Sequence, residues 1–275
     1  MQDKSTLEDT LAIMRDLRRR CEWDRAQTHE SLRPYLIEEA YEVDDAIQQV
    51  GAGADPRMLR DELGDLLLQV VFHAVVAEER GAFDLHDVAH ALVTKMRTRH
   101  PHLYPPAGAD ASGGAAPERP NWEAQKARTR KSVDQGLPAA LPALHRAHRL
   151  QDRAAGVGFD WPDAEGPAAK VLEELAEVRT ELARRTEPPS RDTVAPADDP
   201  HHAAVEAELG DLLFACVNLC RKAGVHASLA LDRANAKFAA RFGAVERLAA
   251  ARGIDVATAG IDALDALWDE VKRAE

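Results

Sequence analysis

The chain has no long apolar run. Its best stretch, Leu66 to Ala77, is broken by Gln69 and His73 and falls well short of the ~20 residues that span a bilayer. No apolar signal region follows Met1-Gln2-Asp3-Lys4, so a cytoplasmic protein without a membrane partner is expected. Cysteine is scarce: Cys21, Cys216 and Cys220 are the only three. The count is odd and no pair has C-x-x-C spacing, which argues against a disulfide framework or a thiolate metal site. Cys216 and Cys220, four apart on an apolar helical pattern, are expected to be buried reduced thiols. Basic residues are the minority, 35 Lys and Arg against 47 Asp and Glu, for a net charge of −12. A nucleic-acid polymer is therefore a poor partner, because binding its backbone needs Lys and Arg. The chain contains no G-x-x-x-x-G-K-[ST] phosphate loop and no G-x-S-x-G elbow. His100, His102, His201 and His202 form no H-x-x-x-H pair, so zinc is not expected. Sustained period-two alternation is missing too, and with it any sign of a sheet.

What is present is helix. Hydrophobic residues make up 45% of the 275 and charged residues 30%, enough for a core and a solvated surface, with a length that leans toward two domains. Thr6 with Asp9 marks a helix start, followed by Leu7, Leu11, Met14 and Leu17. Ser31 can cap a second helix with Leu32, Leu36, Ala40, Val43 and Ile47 at helical spacing, ended by Gly51 and Gly53. Pro56 opens a third that ends near Gly81, and a fourth runs from Leu85 to Arg99, before Pro101. Pro105–Pro120 and Thr186–Pro200, rich in Pro with Ala, Gly or charge, are expected surface connections.

The chain also repeats itself. Glu62-Leu63-Gly64-Asp65-Leu66-Leu67 recurs as Glu208-Leu209-Gly210-Asp211-Leu212-Leu213. Upstream, Glu38-Glu39-x-x-Glu42-Val43 matches Glu173-Glu174-x-x-Glu177-Val178. Downstream, Lys95-x-x-x-Arg99 matches Lys237-x-x-x-Arg241, and Trp122-x-x-x-Lys126 matches Trp268-x-x-x-Lys272. The four blocks keep their order, at offsets of 135, 146, 142 and 146 residues. The larger change of offset falls at Thr186–Pro200. An all-α fold of two duplicated helical domains, 1–133 and 134–275, is the expectation.

The repeated acids carry the chemistry. On a helix turning about 100° per residue, Glu39 and Glu42 fall ~60° and ~120° to one side of the stripe Leu36, Ala40, Val43, Ile47. Glu62 and Asp65 take the same angles beside Leu59, Leu63, Leu66 and Val70. Glu174 and Glu177, then Glu208 and Asp211, repeat the arrangement in the second half. If the two helices of each half pack antiparallel, four carboxylates converge. Like charges that close oppose folding, and a hard divalent cation relieves them; Mg²⁺ takes oxygen ligands and shares its shell with phosphates. A di-iron bundle would need E-x-x-H, and no Glu in the chain has His three residues later. Lys237 with Arg241 and Lys95 with Arg99 share helix faces suited to phosphate oxygens. Trp268 could stack on a base or pack in a core. Asn218 and Asn235 could read a base edge or cap a buried carbonyl.

These blocks closely resemble the MazG family of nucleoside triphosphate pyrophosphohydrolases over essentially the whole chain. The paired E-E-x-x-E and E-x-x-D blocks, K-x-x-x-R, the terminal W-x-x-x-K and Val157-Gly158-Phe159-Asp160-Trp161 all fit. The resemblance implies the all-α pyrophosphohydrolase fold, a homodimer, and Mg²⁺-dependent hydrolysis of ribo- or deoxynucleoside triphosphates to monophosphate and pyrophosphate, clearing nucleotide pools. Mn²⁺ would be a substitute ion. It also implies that Glu174, Glu177, Glu208 and Asp211 are the metal ligands. Lys170, Lys237, Arg241, Trp268 and Lys272 would line the nucleotide site, with Lys237 and Arg241 also stabilising the reacting phosphates. Glu173 would hold the attacking water or support the metal. The second half is the expected catalytic half. The first keeps Glu39, Glu42, Glu62 and Asp65 as a candidate second metal site but has Tyr35 where Lys170 stands; it is regulatory, structural or weakly active. One departure is that Ala203, Ala204 and Ala207 precede the second E-x-x-D block, where the family can have a basic residue. A different class of function, a metal-dependent nucleotide-binding regulatory module without turnover, would carry the same acidic blocks.

Overall fold

The computed structural model describes residues 5–105, 130–184 and 200–275. The Trp122-x-x-x-Lys126 block and most of the two expected connections lie outside these residues. Among the described residues there are ten helices and no strand, and no helix is long and apolar enough to cross a membrane. The chain forms two compact units, Met1–Glu118 and Arg119–Glu275. Residues 133–135 belong with the second of these: the Arg153 guanidinium donates to the carbonyls of Val133 and Gln135 at 2.8 and 3.0 Å.

The first unit begins with α1 (Leu7–Arg20), whose start is the Thr6–Asp9 capping box. The Asp9 amide donates to Thr6 Oγ1 at 3.2 Å and the Thr6 amide to Asp9 Oδ2 at 2.7 Å, so two otherwise unpaired donors are satisfied. A short α2 (Glu22–Ala26) follows. Next is α3 (Arg33–Gly51), with Leu32 at the cap and Pro34 in the first turn. Ser31, expected as the cap, instead closes a turn with Thr28, each side-chain oxygen accepting from the other's amide. Asp55 caps α4 (Pro56–Glu78) by accepting from the Arg57 amide at 2.9 Å. α5 (Leu85–Arg99) starts on a second capping box, Asp84 with Asp87.

The core of this unit is Leu11 and Met14 of α1, Leu32, and Val71, Phe72, Val75 and Val76 of α4. The core cluster thus takes in the second half of α4. Its first half pairs with α3, and the two run in opposite directions: Glu39 meets Asp65 and Gln69, while Gln49 and Met58 share a cavity wall. The expected stripes of these two helices do not form a core. Val43 is buried, but Ile47 is 52% and Leu63 48% exposed, and Leu36 and Val70 are exposed as well. A two-helix hairpin has one buried seam, and here Ala46 shares it with Val43.

The second unit contains α6 (Ala143–Ala155), α7 (Glu165–Ala183), α8 (Pro200–Lys222), α9 (Ala227–Ala251) and α10 (Ile261–Arg273). The duplication is legible in lengths: α3 and α7 have 19 residues each, α4 and α8 have 23. α7 pairs with α8 as α3 does with α4, α6 packs on α8 and α9, and α9 packs on α10. Val245, Ala249 and Leu267 form a small core between α9 and α10, with Trp268 against it. Cys216 and Cys220 are free and half-buried, and burial pushes the Cys216 thiol up from its ordinary pKa.

Candidate active site

In the second unit α7 and α8 bring Glu174, Glu177 and Glu208 together, with one carboxylate oxygen from each lying within 4.8 Å of the others. Glu174 is only 5% exposed. It stays ionised because Lys170, one turn earlier, places its ammonium 2.6 Å from Glu174 Oε1 and holds the carboxyl below its ordinary pKa. Lys170 also bridges to Glu173 at 2.9 Å, and the two carboxylates raise its own pKa. Glu177 moves the other way. Its contact with Glu174, then burial, then the charges of Glu174 and Glu208 push its carboxyl up. This donor set is all oxygen, anionic, convergent and partly desolvated, which fits a hard divalent cation. Asp211, the fourth expected ligand, is not among the three that converge; it lines a cavity that Glu174 and Lys170 also line.

That cavity has a volume of about 530 Å³, within the range of small-molecule sites. Its other walls are apolar and aromatic, with Phe159, Trp161, Pro167 and Phe214 among them. The V-G-F-D-W segment is held there by charge. Asp160 pairs with Arg221, accepting from its Nη1 at 3.2 Å, while Lys222 Nζ donates to the Trp161 carbonyl at 2.6 Å. Arg221 first, then Lys222, holds the Asp160 carboxyl below the usual range. Gly166 on α7 leaves room for the Trp161 ring. Asn218 and Gln151, both buried, add amides to the wall.

Sequence reasoning flagged Asn218 but not Gln151, Phe214 or Arg221, and it used Phe159–Trp161 only as a pattern. No spacing rule links α6, the 157–161 turn and the end of α8. Asn235, flagged alongside Asn218, is exposed.

The remaining expected nucleotide-site residues form a second group on α9 and α10. Arg241 donates its Nε to Glu275 at 2.8 Å and lies 6.0 Å over the Trp268 ring, which packs against Phe238 at 5.4 Å. Lys272 pairs with Asp269 at 2.8 Å. The charge of Lys237 acts on Glu275. Lys237, Arg241, Trp268 and Lys272 do not line the cavity that holds Lys170, Glu174 and Asp211.

The first unit repeats the acidic cluster with Glu39, Glu42 and Glu62, again within 4.8 Å of one another. Burial, then Asp65 and Glu42, raise the Glu39 carboxyl. Tyr35, in the place of Lys170, packs edge-on to Trp23 at 6.1 Å. The adjoining cavity of about 510 Å³ is walled by acids, Glu38, Glu42, Asp45 and Glu62, with Tyr41 and Met58.

Residues 27–104 match the family model described as the MazG nucleotide pyrophosphohydrolase domain. The chain is 41% identical over 264 residues to a nucleoside triphosphate pyrophosphohydrolase of Escherichia coli K12, covering 95% of this chain and 94% of that protein. It is 41% identical over 271 residues to the nucleoside triphosphate pyrophosphohydrolase/pyrophosphatase MazG of Thermotoga maritima, covering 98% and 96%. A nucleoside triphosphate pyrophosphohydrolase of Mycobacterium tuberculosis is 38% identical over 176 residues, covering 62% of this chain and half of that protein. With two helical units that each build an acidic cluster at the same repeated motifs, and relatives aligned nearly end to end, this chain belongs to the MazG family of nucleotide pyrophosphohydrolases.

Proposed function

We propose that the chain hydrolyses ribo- or deoxynucleoside triphosphates to monophosphate and pyrophosphate, in a Mg²⁺-dependent reaction carried by its second unit. The observation that carries this reading is the convergence of Glu174, Glu177 and Glu208 beside an aromatic-lined cavity of about 530 Å³. The acids suit a cation with its phosphates, and the aromatic lining suits a flat apolar base.

Glu174, Glu177, Glu208 and Asp211 would hold Mg²⁺, with Mn²⁺ as a substitute. The ion supplies neutralisation of phosphate charge as it builds toward the transition state. Water adds to the α-phosphorus, the bond from that phosphorus to the bridging oxygen breaks, and pyrophosphate departs with the electron pair. Glu173, more exposed than Glu174 and tied to Lys170, is the base assigned to take the water's proton. Lys170 limits the repulsion among the acids. Lys237, Arg241 and Lys272 are assigned to the triphosphate, which requires Arg241 and Lys272 to exchange Glu275 and Asp269 for phosphate oxygens.

Exposure favours a homodimer as the working form. Residues 231–240 of α9 are exposed on every face, with Phe238 at 58%, and Leu213 of α8 at 59%. A helix apolar on faces its own unit leaves open is covered most simply by a second copy. The substrate pool would be the cytoplasmic one.

Glu174→Ala and Asp211→Ala test the assignment. Each is expected to cut turnover about 10²-fold or more while far-UV circular dichroism stays helical. Normal turnover in either purified variant would overturn it. Nucleotide binding with no phosphate product in the wild type would instead favour the regulatory binding module.

A further inference from the structure

Gln151 on α6 is 5% exposed and lines the cavity that Glu174 and Asp211 also line. Its Nε2 donates to the Phe214 carbonyl at 2.8 Å, which fixes the orientation of the amide. The other end, Oε1, is buried and has no hydrogen-bond partner among the described residues. Buried acceptors in folded proteins are nearly always paired, so this orphan calls for a partner. Nearby in the same wall, Asn218 uses its Oδ1 to accept from Arg221 at 3.1 and 2.8 Å, which leaves Nδ2 as its remaining hydrogen-bonding group. The group that Gln151 has left is thus an acceptor, on a side chain that lines the same cavity as Phe159, Trp161 and Phe214.

We propose that Gln151 is a specificity-determining residue that accepts a hydrogen bond from an N–H on the edge of the substrate's nucleobase, with the base lodged against these aromatic side chains. The proposal rests on the pyrophosphohydrolase reading and deepens it. The acids and Lys170 fix the phosphate end of the ligand, so the aromatic end receives the base. A flat ring suits that lining. A ring nitrogen without hydrogen, or a carbonyl, would set a second acceptor against Oε1 and is rejected. A site built to pair with an N–H discriminates far more sharply against analogues lacking it than an apolar pocket does against a change of size.

The test compares pairs of substrates that differ at the N–H. One pair is ATP and purine riboside triphosphate, which lacks the exocyclic amine. The other is UTP and N3-methyluridine triphosphate. Wild-type protein is expected to prefer the N–H partner by about 10–100-fold in kcat/KM in at least one pair. Gln151→Met, of similar length with no acceptor oxygen, is expected to level that ratio. Discrimination in neither pair by the wild type, or an unchanged ratio in Gln151→Met, overturns the proposal and leaves the reaction assignment intact. Should Gln151→Met fail to fold, as a thermal melt would reveal, the wild-type ratios decide. Release of pyrophosphate from no nucleotide would sink the reaction assignment instead, and the same pairs are then compared by Kd in calorimetry, with the same ratios for and against.

Discussion

A Cβ at Gly166 would lie 2.0 Å from Cδ1 of Trp161, a separation no side chain can adopt. The Trp161 ring is therefore seated on bare backbone at the first turn of α7, and the cavity wall depends on that seat. Gly166→Ala forces the indole aside. It is expected to destabilise the second unit by about 1–3 kcal/mol, lowering the thermal midpoint, and to raise KM for the nucleotide more than it lowers kcat. Unchanged melting and KM would mean that Trp161 is not placed by this contact. At this scale the sequence is legible where partners are near in the chain. Thr6 and Asp9 cap as their spacing requires, and Glu174 and Glu177 share a face because three residues make nearly a full turn. Lys170 was visible as a lysine but not as the counter-charge of Glu174, although four residues separate them. The Gln151–Phe214 and Asp160–Arg221 contacts span about 60 residues of chain, and no local rule foretells them.

Among the elements, the junction of α6 with α9 is built from histidine. His226, the residue before α9, has ring centres of His145 and His148 from α6 at 4.4 and 4.5 Å. Burial, then the charges of His145 and His148, lower the His226 pKa below its ordinary 6.5, with Asp152 opposing. An imidazole harder to protonate in the folded chain than in the unfolded one costs nothing above pH 6.5. As pH falls from there toward the lowered value, the unfolded chain takes up the proton first and stability drops. His73 in the first unit, lowered by burial and by His29, has the same sign. The thermal midpoint of the wild type is expected to fall between pH 7 and pH 5, and His226→Gln to flatten part of that slope, with His73 still contributing to it. A slope identical in His226→Gln would show that the junction does not titrate. Helix positions were well marked in the sequence, with Leu85–Arg99 and the opening at Pro56 found as read. Caps and prolines are local and strong. Which face each helix buries was less legible. Leu36, Ile47, Leu63 and Val70 look like core by periodicity and are exposed, because periodicity identifies an apolar face without saying which neighbour covers it.

Across the whole molecule, one helical plan is used twice with different electrostatics. The second unit sets a lysine against its acidic cluster and opens an aromatic cavity beside it; the first sets a tyrosine there and walls its cavity with acids. The duplication was legible from four ordered motifs. The split of the expected nucleotide residues into a cavity group and an α9–α10 group was not, because motif order does not fix tertiary distance. The asymmetry between the units is the ground for proposing catalysis in the second, and release of pyrophosphate and monophosphate in Mg²⁺ by two paired variants tests that claim most directly. With Glu39→Ala and Glu42→Ala combined, the account predicts equimolar products at a rate near the wild type's. With Glu174→Ala and Glu177→Ala combined, it predicts none above background. Loss confined to the first pair, or nucleoside diphosphate and phosphate as products, would contradict it.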